Sequence, residues 1–245
     1  MFYRKLSSFA AVLTLAFAAS VTSLAATSAG TNSTDKESSN HRVLQPLNLA
    51  ILIQDDLTSQ VSNELKVTRD FIKALPQGSR VMVGYITTGT LQVRQPFTSD
   101  LDQAARSLRV VRSSTSASAY NPYVEVVEAL RNFNNLNGIN AVLLISDGLD
   151  TSGGFDISSS GRTLDLDRAI KHANNHEVAV YTFYAPSVGL TSRSRLAASY
   201  GQSSLNRLAD ETGGKAFFQG SSGFVTFDSY FENLKRTLNE HARAS

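Results

Sequence analysis

The chain has 245 residues, with 23 Lys and Arg, 21 Asp and Glu, and no Cys. The absence of cysteine excludes a disulfide framework, a thiol nucleophile and a cysteine-borne lipid anchor. The small net charge of +2 argues against nucleic acid as a partner.

The first 25 residues have the layout of a secretory signal peptide. Arg4 and Lys5 precede an apolar stretch at 9–19, and Ser23 and Ala25 provide the small residues that cleavage requires. We therefore expect a secreted or periplasmic protein that is cleaved after Ala25 or at a neighbouring Ala. Removing this segment takes away two basic residues and no acidic one, so the mature net charge is near zero. The alternative is an uncleaved anchor, because 9–26 carries no charge and approaches the roughly 20 apolar residues that span a bilayer.

The next segment, 26–45, is rich in Ser, Thr and Asn and poor in apolar side chains. Such a composition cannot offset the entropy of ordering, so it predicts a flexible tether. The remaining residues, 46–243, are enough for one domain with a full core.

Short apolar runs alternate with amphipathic stretches along this domain. In chain order the predicted elements are a strand at 47–53, a helix at 61–75, a strand at 81–86, an edge strand at 91–97, helices at 100–108 and 123–133, a strand at 141–145, a helix at 164–173, a strand at 178–183, a helix at 205–212, a short edge strand at 215–218 and a last helix from 227. We expect 187–203 to be an exposed loop that carries Arg193 and Arg195.

Strands that alternate with helices of this length can be joined only by crossovers. The pattern therefore predicts a Rossmann-like three-layer α/β/α fold, with a mostly parallel central sheet and one antiparallel edge strand. Functional groups in such sheets gather at the carboxyl ends of the strands. Two of these predicted ends carry three carboxylates, Asp55, Asp56 and Asp147.

These acids, with hydroxyl side chains beside them, have the oxygen atoms that a hard divalent cation prefers. They are equally compatible with ordinary loop residues. Asp and Ser are favoured helix caps, and Asp-Gly is a common turn. The residues alone leave both interpretations open.

The two strand ends resemble the von Willebrand factor type A domain. One buried strand ends at Asp55-x-x-x-Ser59 and a later one at Ser146-Asp147-Gly148. The resemblance extends from Leu47 to about position 243. The segment QSSLNRLADETGGK at 202–215 is most similar to the bacterial secreted branch called VWFA-related.

Members of this family often bind Mg²⁺ at a metal-ion-dependent adhesion site, and a carboxylate of the partner then completes the coordination. The resemblance implies that Asp55, Ser59 and Asp147 are metal ligands, with Ser118 as the nearest hydroxyl to the expected Thr. Mg²⁺ is the only cofactor that it implies. Leu57 stands where the first Ser of the motif belongs, so an incomplete, degenerate site is expected rather than an intact one.

We therefore expect an exported, non-catalytic protein-interaction module, for adhesion or as a scaffold, that binds another protein and no small-molecule substrate. The sequence has no recognisable pairing of nucleophile and base. Contact with a membrane follows only if the signal segment stays uncleaved. The alternative is a Mg-dependent hydrolase or phosphotransfer-like domain that uses Asp55, Asp56 and Asp147. A stable spacer in an envelope complex is a third hypothesis.

Overall fold

The computed structural model describes residues 45–113, 120–154, 164–218 and 226–244. The predicted signal peptide, nearly all of the predicted tether and Ser118 lie outside the described residues, so those interpretations stay predictions.

The described strands form one sheet in the order β3-β2-β1-β4-β5-β6. Their bounds are β1 (Leu47–Gln54), β2 (Arg80–Thr87), β3 (Thr90–Thr98), β4 (Ile139–Ser146), β5 (Val178–Tyr184) and β6 (Ala216–Phe217). Every neighbouring pair is parallel except β2 with β3, which a tight turn joins as an antiparallel hairpin. The predicted mostly parallel sheet with one antiparallel edge strand is therefore confirmed.

Helices cover both faces of this sheet. They are α1 (Gln60–Asn63), α2 (Leu65–Lys73), α3 (Leu101–Arg106), α4 (Pro122–Leu130), α5 (Leu164–Asn175), α6 (Leu190–Arg193), α7 (Arg195–Glu211) and α8 (Asp228–Ala244). None of the helices in the described part of the chain combines the length and the apolar character needed to cross a bilayer.

Two separate cores result from the alternation of side chains along the buried strands. In β1, Leu49, Ile51 and Ile53 pack on the face that α2, α3 and α8 cover. Ala50 and Leu52 pack on the opposite face, beneath α4, α5 and α7. Because successive side chains of a strand point to opposite faces, a continuous apolar run is the pattern of a strand buried on both sides. This confirms the three-layer arrangement.

The prediction of an exposed loop at 187–203 is wrong, because most of this segment forms α6 and the first half of α7. The residues that α7 buries there are small, such as Ala197, Ala198 and Gly201. A helix whose inner face is made of Ala, Gly and Ser has little apolar contrast between its faces, so the periodicity did not reveal it. Arg193 and Arg195 accordingly lie in helices, at the end of α6 and the start of α7.

The strands that lead to the candidate acids are neighbours. β1 and β4 are hydrogen-bonded in parallel, with Ile53 beside Ile145. The chain reaches Asp55 two residues after the first of these positions and Asp147 two residues after the second. The expectation that both acids lie at one edge of the sheet is therefore confirmed.

Candidate functional site

Four loop segments meet where β1, β4 and β5 end. We call them the carboxyl-end rim and define it as residues 55–59, 108–113, 147–151 and 185–191. Backbone hydrogen bonds join them: Arg112 N donates to Asp55 O at 3.0 Å, and Val188 N donates to Asp56 O at 2.9 Å. Gln54 links β1 to β4, because its Oε1 accepts from Ser146 Oγ at 2.5 Å. The rim is thus held together by main-chain contacts as well as by side chains.

Asp55 forms a two-pronged ion pair with Arg109. Arg109 Nη1 lies 2.7 Å from Oδ1, and Nη2 lies 2.9 Å from Oδ2. The carboxylate is almost fully buried, with 1% of its side-chain surface exposed, whereas Arg109 keeps 20% of its side chain exposed. This fork geometry gives Asp55 the strongest kind of hydrogen-bonded charge pair that a protein offers.

Further donors complete the surroundings of Asp55. The backbone N of Arg112 donates to Oδ1 at 3.0 Å, and Thr87 Oγ1 donates to Oδ2 at 3.3 Å. Burial alone would raise the pKa of Asp55, but the hydrogen bonds from Arg109 and Arg112 outweigh it and hold the pKa below its ordinary value. Asp55 is therefore ionised in the folded protein.

Tyr85 fixes the position of Arg109. Its hydroxyl accepts from Arg109 N at 2.8 Å and donates to Arg109 O at 2.9 Å. The guanidinium carbon of Arg109 also lies 4.0 Å from the centre of the Tyr85 ring, within the range of a cation–π contact. The arginine is held from both its backbone and its head group.

Asp147, at the end of β4, is buried and surrounded by hydrogen-bond donors. Its Oδ1 accepts from Leu149 N at 3.1 Å, and its Oδ2 accepts from Thr191 Oγ1 at 3.3 Å. Burial raises the pKa of this carboxyl, and hydrogen bonds, including one from Ser187, oppose the rise only in part. The contacts tie the ends of β4 and β5 together.

Asp56 is the most accessible of the three acids. Burial, and next the charge of Asp147, raise its pKa to about 7, while a hydrogen bond from Gln54 works in the opposite direction. Gln54 Nε2 donates to Asp56 Oδ1 at 2.7 Å. The same side chain therefore contacts both strand ends, and Asp56 titrates close to neutral pH.

These residues do not fit a hard divalent cation. Both oxygens of Asp55 are engaged by Arg109, and a cation there would have to displace a guanidinium of the same sign. Leu57 is fully buried in the core, at the place where the motif needs a hydroxyl, and Ser59 is exposed at the start of α1. Across the described ranges, no group of three or more His, Asp and Glu side chains is arranged to hold a metal. Ser118 lies outside those ranges.

The residues that partner the acids are far from them in the sequence. Arg109 is 54 positions away from Asp55 in the chain, and Thr191 is 44 away from Asp147. No local spacing connects such residues, because only the sheet topology brings them together. The signal that was available is the pair of arginines in Arg-Val-Val-Arg at 109–112, directly after a predicted helix.

Exposed apolar side chains share this end of the molecule. Val110, in the rim, is 63% exposed, and Leu164, the first residue of α5, is 80% exposed. Leu196 and Val124 lie in the first turns of α7 and α4, which also begin at the carboxyl ends of the strands. Phe218 directly follows the carboxyl end of β6, so five of the six exposed large apolar residues of the described chain lie at this end of the sheet.

A separate apolar cavity of about 380 Å³ lies at the opposite end of the sheet. Phe71, Leu75 and Leu238 line it, and Gln45 and Pro46 lie at its edge. None of the candidate acids borders it, so it is distinct from the rim.

Comparisons with known proteins show what this fold resembles. The sequence matches no family sequence model, and no curated protein is similar to it in sequence. An aerotolerance-related membrane protein from Bacteroides fragilis has a TM-score of 0.54 at 14% identity, over 79% of this chain and 99% of that chain. BatB, a conserved hypothetical protein from Bacteroides thetaiotaomicron, has a TM-score of 0.54 at 13% identity, over 80% of this chain and 99% of that chain.

A third solved structure is named for the domain itself. A von Willebrand factor type A structure from Catenulispora acidiphila has a TM-score of 0.53 at 19% identity. It aligns with 79% of this chain, which spans 43% of the Catenulispora chain. At such identities the likeness concerns the fold alone.

The mostly parallel sheet with helices on both faces is the fold of von Willebrand factor type A domains. The resemblance seen in the sequence is confirmed at the level of the fold. Function within this fold depends on the site that each member carries, so it has to be argued from the rim.

Proposed function

We propose that the protein is an exported, non-catalytic interaction module that holds another protein on its carboxyl-end rim. The single observation that carries this proposal is the gathering of exposed apolar side chains at that end of the sheet. Val110 and Leu164 are more than half exposed. A concentration of exposed apolar side chains at one end of a protein is typical of a surface that binds a partner.

The ion pair of Asp55 supports a binding role rather than a catalytic one. A general base or a metal ligand needs free carboxylate oxygens, whereas both oxygens of Asp55 accept from Arg109. We therefore regard the site as a degenerate form of the metal-ion-dependent adhesion site. The Mg-dependent hydrolase or phosphotransfer alternative needs Asp55, Asp56 and Asp147 together around a cation, whereas both oxygens of Asp55 accept from Arg109.

Export is the second part of the proposal, and it depends on the predicted signal peptide. One of the structurally similar Bacteroides proteins is described as a membrane protein, which is in keeping with a bacterial envelope setting. N-terminal sequencing of the protein recovered outside the cytoplasm tests it. A mature chain that begins at Ala26 or close by is expected, and an intact Met1 would contradict cleavage.

Photo-crosslinking tests the contact surface directly. A photoreactive phenylalanine analogue replaces Val110 in one variant and Leu196 in another, and each protein is irradiated in the exported fraction of the producing cells. We expect both variants to crosslink to the same protein, because position 110 in the rim and position 196 beside it are exposed at the same end of the sheet.

The matched control carries the same analogue at Gln77, an exposed position beside the cavity at the opposite end. It should not crosslink to that protein. A partner captured equally from Gln77, or no crosslink from either position 110 or position 196, would refute the rim as the binding surface.

A further inference from the structure

We propose that Arg112 binds an acidic side chain of the partner, with the guanidinium of Arg109 in place of a metal ion as the fixed positive charge of the rim. This inference rests on the proposed function. It goes further because it names the chemistry of the partner and makes the interaction independent of divalent cations.

Arg109 occupies the place beside Asp55 that a metal ion would take. It supplies a permanent positive charge directly on the buried carboxylate that begins the rim, with Nη–Oδ distances of 2.7 and 2.9 Å. Arg109 also donates from Nη1 to Val110 O at 3.0 Å. A guanidinium is charged at every physiological pH, so this cation cannot be removed by a chelator.

The guanidinium group of Arg112 is accessible to a partner. Its backbone is anchored, because its N donates to Asp55 O and to Oδ1, each at 3.0 Å. Its side chain is 66% exposed, and only Nε approaches Asp55, at 3.6 Å from Oδ2. Among the described contacts, its two terminal nitrogens have no acceptor. A guanidinium fixed at its backbone and open at its fork is suited to bidentate binding of a carboxylate.

The segment 108–113 carries two positive charges and no negative one. Arg109 and Arg112 share one carboxylate, Asp55, so one positive charge of the segment 108–113 has no counterpart there. The other rim acids are oriented to different donors. Asp147 accepts from Leu149 and Thr191, Asp56 accepts from Gln54, and Asp150 accepts from Asn121 and Ser152. An acidic group of a partner supplies the charge that the segment lacks.

An exposed apolar side chain, Val110, lies beside Arg112. Val110 stands between the two arginines in sequence and is 63% exposed, whereas Val111 is buried and holds the segment on the core. A carboxylate beside an apolar group therefore matches this surface better than a bare anion does. Anionic membranes and nucleic acids are usually bound by clusters of four or more basic side chains, whereas the rim contains two, Arg109 and Arg112.

A pair of short peptides tests the inference. The purified chain, labelled with ¹⁵N, is titrated with acetyl-Leu-Asp-Leu-amide and, in parallel, with acetyl-Leu-Asn-Leu-amide, which differs only in charge. We expect the acidic peptide to shift the amide signals of 109–113 and the Nε–H signal of Arg112, equally with Mg²⁺ and with EDTA. The neutral peptide should cause shifts at least about tenfold smaller at the same concentration.

Variants locate the effect. Arg112→Gln should weaken binding of the acidic peptide about tenfold, since it removes the charged fork and keeps the backbone contacts. Arg131→Gln is the matched control, because Arg131 is equally exposed, is also paired with one acid, and lies at the far end of α4. It should leave binding unchanged.

The inference is overturned by equal shifts from both peptides, by binding that requires Mg²⁺, or by unchanged binding in Arg112→Gln. Tighter binding to phosphatidylglycerol vesicles or to an oligothymidylate than to the acidic peptide would also overturn it. These outcomes differ from a failure of the proposed function. Crosslinking from position 110 that persists in Arg112→Gln would keep the rim as a binding surface and discard the acidic contact alone.

Discussion

For Asp55, the sequence predicts the position of the residue in the fold but not its partner. Its place after a buried strand was predicted, and so was its position at the edge that it shares with Asp147. Its partner was not predictable, because Arg109 approaches it only through the path of α3 and the segment that follows. The chemistry at Asp55 depends on that partner. A buried carboxylate paired with a guanidinium is a structural and electrostatic element, whereas an unpaired one is a ligand or a base.

The contributions of Asp55 and Arg109 to the free energy of unfolding should be strongly coupled. Arg109→Met leaves a buried carboxylate without its counter-ion, so we expect the free energy of unfolding to fall by about 3 kcal/mol. The double variant Asp55→Asn with Arg109→Met should lose clearly less than the sum of the two single changes. Urea unfolding of the four proteins measures this coupling.

Arg131→Met is the control for the pair, since its ion pair with Glu128 is largely exposed. It should cost no more than about 0.5 kcal/mol. Additive losses at positions 55 and 109 would contradict the pairing.

Asp56 should make stability depend on pH near neutrality. Its pKa is raised from 3.8 to about 7 in the folded protein, so the native state holds a proton that the unfolded chain releases. The stabilising effect of that proton is complete below about pH 4 and is lost as the pH rises through 7. Asp56→Asn should therefore stabilise the protein at pH 8 by up to about 4 kcal/mol, less what solvent screening removes, and by much less near pH 4.5.

Urea unfolding at the two pH values measures this difference. Asp210→Asn, at an exposed position of α7, removes the same formal charge and serves as the control. A gain from Asp56→Asn that is the same at both pH values would show that the carboxylate does not titrate in this window.

At the scale of elements, the strands were predicted more accurately than the helices. A strand buried on both faces appears as a continuous apolar run, and β1, β2, β4 and β5 all have that form. The long helix α7 begins about ten residues before its predicted start, because its first half buries small residues. The physical reason is close packing: Gly201 allows the helix backbone to approach the end of β4.

That approach can be tested by adding one carbon. A Cβ at position 201 would lie 1.9 Å from Asp147 O, a backbone atom that cannot move aside without moving β4. We expect Gly201→Ala to lower the free energy of unfolding by about 3 kcal/mol. It should also shift the NMR signals of Asp147 and Thr191, since the helix carries the rim with it.

Gly153→Ala is the matched control, because a Cβ at Gly153 meets no atom within 4 Å. It should change stability by no more than about 0.5 kcal/mol. If Gly201→Ala were equally mild, α7 would not be packed on the end of β4 as described.

At the scale of the whole molecule, the fold class and the mostly parallel sheet with one antiparallel edge strand followed from simple rules. Alternating strands and helices require crossovers, and crossovers produce a parallel sheet with its functional groups at one edge. The state of the metal site did not follow from these rules. Leu57 indicated one missing ligand. The positively charged Arg109 beside Asp55 could not be predicted, because only the fold brings these two distant segments together.

The same positive charge leads to a prediction for the whole protein in the presence of cations. A cation present at about 100 times its dissociation constant would raise the free energy of unfolding by about 2.7 kcal/mol, which is a shift of several degrees in Tm for a domain of this size. Because Arg109 engages both oxygens of Asp55, we expect Tm in about 10 mM MgCl₂ and in EDTA to differ by less than about 1 °C. Differential scanning calorimetry measures this. An increase of several degrees that Asp147→Asn abolishes would show instead that Mg²⁺ displaces the arginine, and the rim would then have to be described as a metal site.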